Sequence, residues 1–452
     1  MKDNNIVPQE SETIAARRSV RIAEKIKNAR SKFSVSKAWW SDGPLEIIGI
    51  LVILIFNFYL VYPVFGTPAV ETTFSGPFIP FMAKLISYSG IPEAYGVQIV
   101  NLIFHIFFPL TYYLFIRKIS ERKIIAFLAT LLISVPVALF SKSRIEYSLL
   151  GTESPHICSL TMIPLALLGL LSFLREGGLK NLTTTSVFGA IIALISPFGF
   201  FIYLIFSVIT TFSEILLGGA RQKIVRFAFA ILMTASLCSF WYDPVFFFRM
   251  AFGPMGEEVR TTANKLIPAS FFLVPILATF GYLLFDRKPD LQPIFLAGFF
   301  SITFTVIFVA GKGIFPSHPG RYIPELGIGY SFLLAYIFYV LMQKIVNSKM
   351  FSVFTSKGIP LTLLAMFFIT SLIVVSFFIR DNIYSGSSKV LGFSTSLPKG
   401  KIWLAKEKFS GPSSILGYIL SAISLSVLVY LNVLALKKES KSASYVKDTN
   451  FS

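Results

Sequence analysis

Acidic residues are scarce in this chain. Over 452 residues, 23 Asp and Glu stand against 41 Lys and Arg, with three histidines and two cysteines. Cys158 and Cys238 give no disulfide framework and no metal-ligand spacing; both fall within or at the edge of apolar runs, as small core residues do. No Walker A loop, dinucleotide-binding glycine pattern, HExxH, CxxC or nucleophile elbow occurs, so ATP-driven transport and conventional hydrolase chemistry lose their main supports. Few ionisable groups lie deep within apolar stretches, which counts against an ion-coupled transporter or a proton relay. His105 is the main exception, as a lone histidine in Ile103-Phe-His105-Ile-Phe-Phe108.

What the chain has in abundance is apolar length. It is 54% hydrophobic with a mean hydropathy of +0.71, and many runs reach the roughly 17–25 residues needed to cross a hydrocarbon core. The pattern predicts an all-α polytopic transmembrane bundle of about twelve spans. They cover 46–63, 96–116, 123–140, 157–175, 183–199, 200–217, 226–243, 268–285, 292–311, 325–343, 359–379 and 413–436. The stretch Val187 to Leu217 is too long for one crossing, and Pro197-Phe-Gly199 offers a turn in its middle, so two spans or a re-entrant pair are both open. The first 40 residues are polar and too basic for a cleavable signal peptide.

A net charge of +18 would point to nucleic acid in a soluble protein. Here cytoplasmic retention of basic loops accounts for it and no nucleic-acid partner is expected. With the N- and C-termini inside, 27 of the Lys and Arg fall inside and 14 outside, together the chain's 41. Residues 1–45 form a basic cytoplasmic leader, either an amphipathic helix on anionic lipid or a disordered tail. Residues 46–436 form the transmembrane domain and 437–452 a cytoplasmic tail. The outside loops, 64–95, 141–156, 244–267, 312–324 and 380–412, are longer, richer in Gly and Pro, and of mixed charge, as functional loops on a rigid scaffold are.

Candidate site residues concentrate in those loops. In 64–95, Pro63, Gly66 and Pro68 stop the first span, Glu71 follows, and Phe78 to Ile86 has the spacing of a short interfacial helix. Glu71 is a candidate general base or metal-positioning carboxylate; a solvated loop acid is the alternative. In 141–156, Arg144, Glu146, Glu153 and His156 crowd into one connection. Glu153 and His156 are three apart across Pro155, the spacing of an acid–base pair or two metal ligands, and equally of a helix cap beside an interfacial histidine. The stretch Gly311 to Glu325 carries His318, Arg321 and Tyr322 among prolines and glycines. Arg321 brings a rigid donor fork suited to phosphate oxygens, whether of a substrate headgroup or of ordinary lipid. Asp243-Pro244 reads as a span end, and Glu257-Glu258 as a solvated turn.

This order of features resembles the GT-C class of integral membrane glycosyltransferases: basic tail, first span, acid-bearing outside loop with an interfacial helix, acid/His loop after the third span, then many further spans. Within that class it is similar to membrane proteins labelled 6-pyruvoyl-tetrahydropterin synthase-related, a label that implies no pterin chemistry. Leu160-Thr-Met-Ile-Pro164-Leu-Ala-Leu-Leu168 and Ala193-Leu-Ile-Ser-Pro197 carry the likeness, which extends as a pattern over most of 46–345. It implies sugar transfer from a polyprenyl-phosphate donor on the extracytoplasmic face of the cell membrane, to an acceptor it does not specify. Glu71 would stand in the place of the first-loop catalytic acid, Glu153 and His156 would assist or bind a divalent metal, and Arg144, His318, Arg321 and Tyr322 would hold the donor. The chain departs from such enzymes in having Glu where Asp is common and a short 380–412 loop where many carry a large domain. A transporter or flippase for lipid-linked saccharide and a non-catalytic assembly subunit are the competing readings.

Overall fold

The computed structural model describes residues 43–346 apart from 71, 254–256, 288 and 315–320, together with 370–371, 374, 380, 383–384, 403–404 and 412–449. The protein is all-helical apart from a two-residue parallel ladder, in which β1 (Thr73–Phe74) lies beside β2 (Trp403–Leu404). In chain order the helices are α1 (Gly43–Val61), α2 (Phe78–Ser87), α3 (Glu93–Ser120), α4 (Lys123–Ser134), α5 (Ser143–Ser148), α6 (Ser154–Glu176) and α7 (Leu179–Ile195). They continue with α8 (Pro197–Leu216), α9 (Ala220–Cys238), α10 (Pro244–Phe252), α11 (Glu257–Arg287), α12 (Gln292–Ile314), α13 (Ile323–Val346) and α14 (Pro412–Thr449).

Among the described residues seven helices are long and apolar enough to cross a membrane: α1, α3, α6, α8, α12, α13 and α14. The protein is therefore a multi-pass membrane protein, compatible with contact to membrane lipid along its apolar helices. Lys123–Ser134 and Ala138–Ser148, bent by 76° at their junction, give an eighth if taken as one broken span. The bend has a cause in Ser134-Val-Pro136, since proline disfavours helix for the residue before it, and Phe140 also leaves helical geometry. Every other sequence-read span up to 325–343 overlaps a helix, but α7, α9 and α11 are not among the seven, so the described residues do not reach the count of about twelve; α7 is short for a crossing and α11 carries two internal prolines. The span read at 359–379 lies almost entirely outside the described residues, as do most of the leader and of the 380–412 loop.

The long apolar stretch breaks at Ser196. That residue is extended, its hydroxyl accepts from the Gly199 amide at 3.1 Å, and Pro197 opens α8. Each feature satisfies or removes an orphan helix-start donor. α7 and α8 are thus two separate helices. A Cβ on Gly199 would lie 2.0 Å from Ser159 Oγ, so α6 and α8 approach there more closely than any side chain allows.

One apolar core runs through α3, α4, α6, α8, α12 and α13, with Phe206 edge-on to Phe300 and Tyr112 stacked on Phe108. By contrast α14 leaves most of its apolar side chains exposed, and α1 leaves Ile47, Ile48, Leu51, Val52, Ile55 and Phe58 exposed, as helices facing lipid do. At the C-terminal end of α6 the bundle is closed by a saturated ionic cluster. Buried Glu214 accepts from Arg175 Nε at 3.0 Å and Nη2 at 2.8 Å, and from Gln292 Nε2 at 2.7 Å; Lys223 Nζ lies 3.3 Å from its second oxygen. Arg226 donates to the last carbonyls of α6, Phe173 and Leu174, which a helix C-terminus leaves unsatisfied.

Candidate functional site

At the other end of α6, about 34 Å away for a helix of 23 residues, a second group of ionisable side chains gathers. It is built from the starts of three helices. α6 contributes Glu153 at its N-cap and His156 in its first turn; α8 contributes Phe198; α13 begins just after Arg321 and Tyr322 and carries Glu325 in its first turn. Local sequence explains why the helices start here. Pro155, Pro197 and Pro324 each sit near a first turn, where proline's missing N–H costs nothing and its fixed φ fits.

The contacts link all three starts. His156 Nε2 lies 2.7 Å from Glu325 Oε1, with both side chains buried. The pair is close but poorly aligned: neither ring nitrogen of His156 and neither carboxylate oxygen of Glu325 makes an aligned hydrogen bond. Arg321 pairs with Glu153 at 3.2 Å, both partly exposed, and its guanidinium stacks on Phe198 at 3.9 Å from the ring centre. Phe198 in turn packs against His156 at 4.8 Å and buried Tyr322 at 5.8 Å between ring centres. A buried polar pair at this separation sits in low dielectric, where groups left unsatisfied are costly. Three helix N-termini pointing at one place add positive potential, offset here by the two carboxylates.

No known protein-family model matches this chain, and no curated protein matches it. Whatever the site does must therefore be read from its own chemistry.

Of the residues singled out from sequence, the structure brings Glu153, His156, Arg321 and Tyr322 together. It does not join Glu153 to His156 directly: each takes its partner from α13 or the residues before it. Arg144 keeps other company, buried over the Phe108 ring at 4.0 Å and donating to the Ile133 carbonyl at 3.1 Å. Glu71 and His318 lie outside the described residues. The chain around Glu71 is nonetheless pinned at this same end. A Cβ on Gly76 would lie 2.0 Å from the Leu194 carbonyl. Trp241 and Tyr242 donate to the Ser75 carbonyl at 3.2 and 3.0 Å, and buried Phe74 joins Cys158 and Ile195 in one apolar cluster. Just beyond, α2 buries Ile79 and Ala83 while Phe81, Leu85 and Tyr88 stay exposed. Elsewhere Asp243 caps α10, accepting from the Phe246 amide at 2.8 Å, and Cys158 and Cys238 are free and buried.

Among the described residues no three or more His, Cys, Asp or Glu side chains gather where they could hold a metal ion.

Two members of the cluster escape a reading of the sequence. Glu325 looks like an ordinary first-turn acid favoured by the helix dipole, and Phe198 like one aromatic among 48 phenylalanines. The signal for Glu325 was its place as the first residue of the span read at 325–343, where a carboxylate without a partner would be expensive.

Proposed function

We propose that this chain is a GT-C-type glycosyltransferase that moves a sugar from a polyprenyl-phosphate donor to an acceptor hydroxyl on the extracytoplasmic face of the cell membrane, within a bundle of about twelve spans whose termini are cytoplasmic. The observation that carries the reading is the meeting of Glu153, His156, Arg321 and Glu325 at one end of α6. Charge counting assigns that end to the outside. A donor of this kind has an anionic headgroup at the interface and an isoprenoid tail in the bilayer, and an arginine fork stacked on an aromatic ring at a helix-bundle end suits it.

In the proposed reaction a carboxylate, Glu71, takes the proton of the acceptor hydroxyl while the acceptor oxygen attacks the anomeric carbon. The bond from that carbon to the phosphate oxygen breaks, and its electron pair leaves with the polyprenyl phosphate. Arg321 stabilises the charge that develops on the leaving phosphate, the term that usually dominates such catalysis. His156, set by Glu325, is placed to exchange a proton with the same headgroup. Tyr322 and Phe198 wall the site from the apolar side, and His318 belongs to the same loop as Arg321.

The test uses purified full-length protein in nanodiscs, given a panel of polyprenyl-phosphate-linked hexoses and pentoses and assayed for released polyprenyl phosphate and glycosylated acceptor. Glu71→Gln should abolish transfer while donor binding persists; unchanged transfer overturns the reading. A flippase for the same lipid-linked saccharide is the second reading, favoured by the buried polar residues Gln98, Asn101 and His105 along α3. It expects donor movement between leaflets with no new glycosidic product.

A further inference from the structure

A polar file runs down one face of α3. Gln98, Asn101, His105, Phe108 and Tyr112 recur at intervals of three and four, which places them on one stripe, and all five are buried. Most find partners. Gln98 donates to the Leu149 carbonyl at 3.3 Å, Asn101 accepts from Cys158 Sγ at 3.4 Å, and Tyr112 lies 2.7 Å from the Ile328 carbonyl and 2.8 Å from the Ser331 hydroxyl. At the middle of the stripe the pattern fails. Neither nitrogen of His105 has a hydrogen-bond partner.

Arg144 enters the bundle at that level. Its side chain is 1% exposed, the largest among the fully buried ones. One of its terminal nitrogens, Nη2, donates to the Ile133 carbonyl at 3.1 Å; Nε and Nη1 donate to nothing. No carboxylate pairs with it among the described residues: Glu325 is held by His156, Glu153 by Arg321 and Glu146 by Lys142. The titratable groups whose fields reach Arg144 are Tyr112 and His105, neither of them acidic in the carboxylate range. Ser141, three residues before Arg144 on the same broken helix, is also buried with its hydroxyl unpartnered. Stacking on Phe108 recovers only part of what burying an unpaired charge costs. A sequence that keeps a guanidinium here without a counter-ion leaves room for an anion from outside the chain.

We propose that Arg144, with Ser141 and His105, forms an anion site inside the bundle that takes a phosphate-class oxyanion, either free phosphate or the phosphomonoester headgroup of a lipid. The unmatched donors are several and belong to two helices, α3 and the broken helix ending in α5. A group with several acceptor oxygens satisfies them together, and the planar fork of arginine fits an oxyanion better than a monatomic ion. None of its three residues belongs to the His156–Glu325 pair, and it stands whether or not the transferase reading holds.

The experiment is thermal unfolding of the full-length chain in phosphatidylcholine nanodiscs. One arm titrates inorganic phosphate against chloride at equal ionic strength; the other adds phosphatidic acid to the bilayer. A saturable rise in unfolding temperature in the first arm identifies free phosphate, and in the second a lipid headgroup. Arg144→Gln should weaken the response at least about tenfold. Should Arg144→Gln fail to fold, Arg144→Lys retains the charge without the fork and should still weaken it several-fold, as should Ser141→Ala. A flat response in both arms, an equal response to chloride, or an unchanged response in all three variants overturns the proposal.

Discussion

The two ends of α6 carry similar side chains in opposite conditions. At its C-terminal end Glu214 is buried, yet both its carboxylate oxygens are engaged, by Arg175, Gln292 and Lys223. At its N-terminal end Glu325 is equally buried and meets one histidine at a good distance and a poor angle. The first arrangement has nothing left to offer a ligand. It ties α6 and α8 to the starts of α9 and α12, as a structural staple does. The second holds unspent hydrogen-bonding capacity beside a stacked arginine, and buried polar groups left part-satisfied in a native protein ask for a functional reason. Chemistry is thus told from architecture by saturation, not by burial or charge.

That contrast can be broken most forcefully at the saturated end. Glu214→Ala leaves Arg175 and Lys223 without their counter-charge and should cost about 3–5 kcal/mol of stability, measured as a shift of the unfolding midpoint in detergent. If the midpoint stays put, the staple interpretation is lost. At the unsaturated end Glu325→Gln should do the reverse: a stability change within about 1 kcal/mol, but a loss of transfer of about a hundredfold or more, read in the nanodisc assay. The close approach of α6 and α8 near the unsaturated end is tested by Gly199→Ala, which sets a methyl against Ser159 and should cost about 1–3 kcal/mol as α6 and α8 are forced apart; pairing it with Ser159→Gly should return most of that loss.

The smallest effect is expected outside both ends, on α2. Lys84 donates to Glu93 at 2.9 Å on an exposed surface, and that hydrogen bond and charge hold Lys84 above its ordinary 10.5. A raised value stabilises the fold fully below 10.5 and loses its contribution as pH climbs through the folded value. Solvent screens such a pair, so Lys84→Met should leave the unfolding temperature at neutral pH nearly unchanged, and any difference from the parent should vanish as the pH climbs through the folded value. A large neutral-pH effect would show α2 to be held by that pair and not by its buried Ile79 and Ala83.

Much of the scaffold was legible in the sequence because apolar length and proline placement act locally. Pro197-Phe-Gly199 marked the break between α7 and α8 and the spacing of Phe78 to Ile86 marked α2, whereas Asp243-Pro244, read as a span end, caps the start of α10. The site was legible by halves. Glu153, His156, Arg321 and Tyr322 stood out as polar groups beside span ends, but their pairing did not, since spacing along one helix suggested Glu153 with His156. The actual partners lie more than 150 residues away, and nothing local encodes which helix start packs beside which. Arg144 shows the same limit: in sequence it belonged to an outside loop, whereas the bend after α4 turns it inward onto Phe108.

On its own, then, the sequence determined that this protein lives in a membrane as a helical bundle, because the free energy of burying twenty apolar residues is a local sum. It also determined where the helices stop, because proline, glycine and capping side chains act on their own backbone. Only the tertiary structure decided which charges meet. Ion pairs and orphaned donors depend on distances of 3 to 4 Å between helices remote in the chain, and those distances are set by close packing at places such as Gly199 against Ser159.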